Sequence, residues 1–168
     1  MNEDWERRVA DAWASIEEYY DGREAEFRDL IDKLAAELPE GSAIADFERA
    51  SAWDSTGHSD KAVPLYRRAL ETGLTGIRRR RTVIQLSSSL RNIGQQEESL
   101  RLLTAEMAAG SDELDDALKC TLALVLTDLG REREAVSLVI GALARHLPRY
   151  QRSMANYARL LVEPDPDA

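Results

Sequence analysis

Four glycines recur at nearly equal spacing, Gly22, Gly57, Gly94 and Gly130, separated by 35, 37 and 36 residues. Their frames are alike: EYYDG-REAEF, AWDSTG-HSDKA, SLRNIG-QQEES and VLTDLG-REREA. A glycine that closes one apolar-periodic stretch and opens the next marks a helix–turn–helix unit, and a repeat of this length points to helices stacked as a solenoid. The architecture follows from this one pattern, which names no substrate, cofactor or partner.

Counting from each glycine gives the pattern a packing meaning. Seven residues before it stand Ser15, Ala50, Ser87 and Ala123, all small, as close approach of two antiparallel helices requires. Four before it stand Glu18, Trp53, Leu90 and Leu126, and five after it Phe27, Ala62, Ser99 and Ala135. Nine after it come Ile31, Tyr66, Leu103 and Val139, the bulky residues expected on the buried stripe, and thirteen after it Ala35, Leu70, Met107 and Leu143. Apolar steps of three and four define amphipathic helices. The spacing predicts nine of them, over 4–20, 24–37, 43–55, 60–72, 77–92, 96–108, 112–128, 132–146 and 149–162. Pro39-Glu40-Gly41, Gly73, Gly110 and Pro148 fall at the predicted ends, and Asp112 with Asp115 resembles an acidic cap at a helix start. Pro64 falls inside the fourth helix, where a late start or a local kink is expected.

The fold class is therefore all-α, a right-handed superhelical solenoid of antiparallel helix pairs. Residues 1–42 form an N-terminal pair that is only weakly repeat-like, 43–148 three repeats, 149–162 a capping helix and 163–168 a flexible tail, all in one domain. At 168 residues the chain can bury a substantial core. Its net charge of −9 argues against general nucleic-acid binding, which needs a broad basic face. A single cysteine, Cys120, excludes an internal disulfide framework and suits a reducing compartment. The N-terminus MNEDWERRVADAW has no apolar signal core, and no run approaches a membrane span, so a cytoplasmic location is expected.

The residues Ala50, Trp53, Gly57, Ala62, Tyr66 and Ala69, echoed in Ala123, Gly130, Ala135 and Ala142, resemble the tetratricopeptide repeat pattern. The second repeat keeps Gly94 but carries Ser87, Ser99 and Glu106 at the other positions. The stretches ERASAWDSTGHSDKAVPLYRRALETGL and RRRRTVIQLSSSLRNIGQQEES are similar to a bacterial subgroup, tetratricopeptide repeat group 5. That resemblance covers roughly 43–162 and implies a protein-interaction module without assigned activity that forms dimers. The chain departs from the family where Asp46, Val83 and Lys119 replace an aromatic early in the first helix of each pair, and where Leu74 and Leu147 replace a closing proline.

The resemblance also implies which positions face a concave groove: Ile44, Phe47, Ser51, Asp54 and Ser55, then Arg81, Ile84, Ser88, Arg91 and Asn92, then Ala117, Cys120, Leu124, Thr127 and Asp128. From these, Arg81, Ser88, Arg91 and Asn92 are the candidate ligand-facing residues, with Asp54, Thr127 and Asp128 around them. A guanidinium matches a carboxylate bidentately, so Arg91 either grips a peptide or pairs with Asp54 or Asp128. The run Arg78–Arg81 points four ways on a helix, and either engages an acidic ligand or neutralises acidic neighbours. Its positive charge at a helix start is opposed by the helix dipole by some tenths of a kcal/mol.

Catalysis finds no support in the residues. His58 and His146 belong to no metal-ligand spacing, Cys120 is expected to pack as a small hydrophobe, and the acidic pairs sit on adjacent, diverging helical positions. No cofactor or metal is expected. The stripe Tyr150, Met154, Tyr157 and Leu161 either caps the last repeat or meets a second chain, and Trp5 and Trp13 pose the same choice at the other end. The reading is a non-catalytic module that binds a peptide or partner protein in its groove, without nucleic acid or membrane. The alternatives are a structural homodimer and a regulatory module binding an acidic ligand through its arginines.

Overall fold

The computed structural model describes residues 3–163. Among them there is no strand. These residues form nine α-helices: α1 Glu3–Ala14, α2 Glu24–Ala35, α3 Ala43–Ser55, α4 Ser59–Glu71, α5 Gly76–Asn92, α6 Gln96–Ala109, α7 Asp115–Asp128, α8 Glu132–Ala144 and α9 Gln151–Leu160. The tail expected over 163–168 lies, beyond Glu163, outside the described residues.

The spaced glycines end helices as their spacing predicts. At Gly57, φ is +81°, its N–H donates to Asp54 at 3.0 Å, and the His58 N–H reaches back to Trp53 at 2.9 Å. This is the Schellman closure, which satisfies two terminal carbonyls and needs a residue in the left-handed region. His58 then packs edge-on against Trp53, ring centroids 5.2 Å apart. Gly94 and Gly130 repeat the same pair of bonds.

Three expectations shift. The first helix stops at Ala14 and continues as a 3-10 turn, Ile16–Tyr19, because the Ser15 hydroxyl donates back to the Ala12 carbonyl at 2.9 Å. The fourth helix does not start late: it begins at Ser59 and runs unbroken through Pro64. Proline's missing N–H there leaves out a single bond, to Asp60 in the first turn. The seventh helix begins at Asp115, not 112, since Asp112 caps a preceding turn by accepting from Leu114 N–H at 2.8 Å.

The helices gather into two compact units, Met1–Ser89 and Leu90–Ala168, with the boundary inside α5. In the first unit, Trp5, Val9, Ala12, Phe27, Ile31 and Leu34 form one cluster with Ala52 of α3. Trp13 meets Phe27 edge-on at 5.1 Å, and the Trp5 indole donates to the Leu34 carbonyl at 2.8 Å. Both tryptophans thus serve the interior of their own chain. Helices α3 and α4 close over Ala50, Ala62 and Ala69, with Tyr66 fully buried beside them. Burying that ring stabilises the pair by an upper estimate of about 4 kcal/mol. Asp46, standing where the family has an aromatic, is buried and accepts from Arg68 Nε of α4 at 2.7 Å, so an ion pair replaces an apolar contact.

In the second unit, Leu118, Leu122, Val125 and Leu126 of α7 pack with Ala135 and Ala142 of α8. Helix α9 lies on α8, where Ser137 Oγ donates to the Ala158 carbonyl at 2.7 Å. Of its expected stripe, Met154 and Leu161 are half-buried and Tyr150 and Tyr157 exposed, while Ala158 is buried. Val139, expected on the buried stripe, is exposed as well, as are Met107 and Leu143.

Candidate functional site

The candidate residues divide by element. On α5, Arg81, Ser88, Arg91 and Asn92 recur at helical spacing and share one side of the helix. Arg81 lies over the Phe47 ring, 5.2 Å from its centroid, and Ser88 is half-buried. Asn92 is exposed. Arg91 is oriented by α7: its Nη2 donates to Asp128 Oδ1 at 3.1 Å, and its Nε lies 2.5 Å from Oδ2. Both side chains keep a little over a quarter of their surface open to solvent. Thr127 is exposed and its hydroxyl donates back to the Ala123 carbonyl at 2.9 Å.

Asp54 is held differently. It accepts from Ser89 Oγ at 2.6 Å and from the Tyr66 hydroxyl at 3.4 Å. Burial pushes its carboxyl above the ordinary range, against those hydrogen bonds, which pull it down. The Tyr66 hydroxyl is also pushed up, chiefly by burial and then by the Asp54 charge. Of the other first-repeat positions expected to face the groove, Phe47 and Ser51 are fully buried and belong to the core.

The arginine run fans out. Arg78 is taken up inside the first unit: Nη2 and Nη1 bind Glu6 at 2.6 and 3.0 Å, and Nε binds Glu48 at 3.1 Å. Glu48 is buried and also accepts from the Trp13 indole at 2.8 Å. Arg80 is buried, while Arg79 is exposed. The Glu6–Arg78–Glu48–Trp13 network has no sequence signal, since its members lie 72, 30 and 35 residues apart.

Cys120 corrects an expectation: it is exposed, not packed. It lines an apolar groove of about 390 Å³ between α7 and α8, with Leu124, Val136 and Val139. Near it, Asp116 is held below the ordinary carboxylate range by hydrogen bonds from His146, at 2.9 Å, and Arg145. Among the described residues no group of three or more His, Cys, Asp or Glu could hold a metal ion, and no helix is long and apolar enough to cross a membrane.

Antiparallel pairs closed by a left-handed glycine, with alanines at the contact and a polar stripe along α5, define a helical-repeat scaffold. The chain belongs to the tetratricopeptide repeat family: the group 5 model, described as Tetratrico peptide repeat, matches residues 43–161. Among solved structures it is similar to the nearly identical TPR-like repeats of a Podosopora anserina protein assigned as a kinesin light chain. The TM-score is 0.69 at 19% identity, covering 94% of this chain and 86% of that one. A single-substitution form of those repeats gives 0.68 at 19% identity, covering 96% and 89%. At that identity the likeness concerns the fold. No curated protein matches the chain. The family and fold support a protein-interaction scaffold in general terms.

Proposed function

We propose that this chain is a non-catalytic module that binds a peptide or partner protein along the polar stripe of α5, with Arg91 as its principal contact. The observation that carries this reading is the Arg91–Asp128 pair. The carboxylate of Asp128 holds the guanidinium through Nη2, and Arg91 keeps a little over a quarter of its surface open to a ligand. Pre-orientation lowers the entropy cost of binding a carboxylate or a peptide carbonyl. Ser88 and Asn92 on the same side of the helix add hydroxyl and amide groups that suit peptide backbone. Of the two histidines, His58 packs on Trp53 and His146 bonds to Asp116.

The test is a displayed peptide library selected on the full chain, with the selected peptides titrated against Arg91→Ala. Affinity should fall about tenfold or more, with the unfolding midpoint nearly unchanged, because exposed ion pairs contribute less than about 1 kcal/mol. Peptides that bind Arg91→Ala as well as the parent would overturn the assignment.

A further inference from the structure

Helices α2 and α3 leave an open groove of about 400 Å³ between them. Arg28, Asp29 and Asp32 of α2 line it, facing Arg49 and Trp53 of α3. Each set follows helical steps of three and four along one side of its helix. Ala25 and Ala52 complete the walls and leave the room that longer side chains would fill. None of these residues is among the positions that the family resemblance turns toward the concave groove. Arg28 lies over the Trp53 ring, 4.6 Å from its centroid, and its Nη1 is shut off from solvent with no hydrogen-bond acceptor among the described residues. A buried donor left without an acceptor is a costly arrangement. Arg49 donates from Nε to Asp32 Oδ1 at 2.6 Å, and its Nη groups have no acceptor among the described residues. The indoles show the same contrast. Trp5 donates to the Leu34 carbonyl and Trp13 to Glu48, whereas the Trp53 N–H has no acceptor among the described residues.

We propose that this groove binds a small organic acid with a single carboxylate, whose charge meets Arg28 and whose apolar part lies along Trp53. The unspent groups of Arg28, Arg49 and Trp53 are all donors, and a carboxylate is an acceptor that guanidinium groups match in plane. Volume points to a small molecule, since a cavity of this size falls in the range that takes one. The charges of the groove set the valence of the ligand. Arg28 and Arg49 stand with Asp29 and Asp32, and Glu24 lies one turn before Arg28 on α2. Asp32 is spent on Arg49, and Glu24 accepts from the Gly22 N–H at 3.3 Å. Asp29 is exposed and forms no ion pair among the described residues, so its charge opposes an incoming anion. That repulsion doubles for a dianion, and a monoanion is therefore favoured.

The proposal does not rest on the peptide reading of α5: Arg91→Ala should leave it untouched, and Arg28→Met should leave the selected peptides bound. Benzoate is the probe, titrated into the full chain at fixed pH, because His58 packs edge-on against Trp53. The readout is the three indole N–H signals in a heteronuclear NMR spectrum, with Trp53 assigned from the Trp53→Phe variant. The Trp53 signal should shift along a saturating curve, while those of Trp5 and Trp13, already bonded inside the protein, stay in place. Benzamide has the same shape without the charge and should give no saturating shift. Arg28→Met should weaken benzoate at least about tenfold, and Asp29→Asn should tighten it roughly threefold. The second variant leaves the Arg28–Trp53 stack alone, so it tests the proposal even where the first disturbs the fold. N-acetyl-glutamate amide carries the same group as a protein would, and should bind more weakly than benzoate because it brings no ring to Trp53. A Trp53 signal that stays in place, that moves equally with benzamide or that still moves in Arg28→Met would overturn the proposal. An Asp29→Asn chain that binds benzoate no tighter would do the same. Tighter binding of the glutamate amide would overturn the small-molecule assignment and give the groove to an acidic side chain of a partner.

Discussion

The repeats α3–α4 and α7–α8 differ less in their own residues than in the helix that comes after each. Both keep the glycine closure and the alanine contacts, so each pair forms in the same way. Yet Tyr66 is sealed and its counterpart Val139 is open, because α5 lies over the first pair while α9 turns aside from the last. In a stacked array a position is buried by its neighbour as much as by its own helix, and each interface contributes its own stability. Apolar character at a repeat position therefore means core in one unit and exposed surface in another.

That comparison breaks most readily at Tyr66. Tyr66→Ala should cost about 3–5 kcal/mol in urea unfolding, and Val139→Ala less than about 1, since only the first leaves a cavity. Equal costs would show that the last repeat is covered in solution. Next comes the clamp on the first repeat. Arg78→Met strands the buried Glu48 carboxylate and should cost roughly 3 kcal/mol, with much of that recovered when Glu48→Gln is added. Additive losses in the double variant would exclude direct coupling.

A smaller effect concerns Asp54, whose counterpart is the uncharged Thr127. An acid whose folded-state pKa lies above its ordinary 3.8 binds more protons when folded, so stability falls as pH climbs through the window above that value. Asp54→Asn escapes this loss, and its melting temperature relative to the parent should rise between about pH 4 and about pH 7. A flat difference would contradict burial as the dominant cause. The smallest effect is expected at Gly141→Ala. Its Cβ would meet Ala158 at ordinary contact distance, and alanine's better helix propensity should add up to about 1 kcal/mol. Loss of stability instead would mean that α9 sits closer to α8 than described.

Helix number and most boundaries were legible because they depend on local chemistry: a left-handed glycine, an apolar period and a capping side chain. The cap at Ser42, which accepts from Ala45 N–H at 3.3 Å, is of that kind. Val139 and Cys120 were misjudged because the period says which side of a helix is apolar, not what covers it. Arg78 was legible only as part of a charged run. Its partners Glu6 and Glu48 come from other helices, and no spacing rule links them. For the candidate site, the stripe along α5 came from the register that the family resemblance implies, and helical spacing puts its members on one side of the helix. The choice of Asp128 over Asp54 as the partner of Arg91 was not legible, because Asp54 is drawn to Ser89 and Tyr66.

The Arg78 clamp bears on where this protein can be cut. The family match begins at residue 43, which invites truncation there. Such a shortened chain would lose Glu6 and Trp13 together, leaving the Glu48 carboxylate with one partner fewer and Ala52 without the apolar cluster around it. Residues of the first 42 thus cover part of α3 and satisfy its buried Glu48. A chain cut at residue 43 should therefore unfold at a lower urea concentration than one that keeps residues 1–42, which a urea titration of both would check.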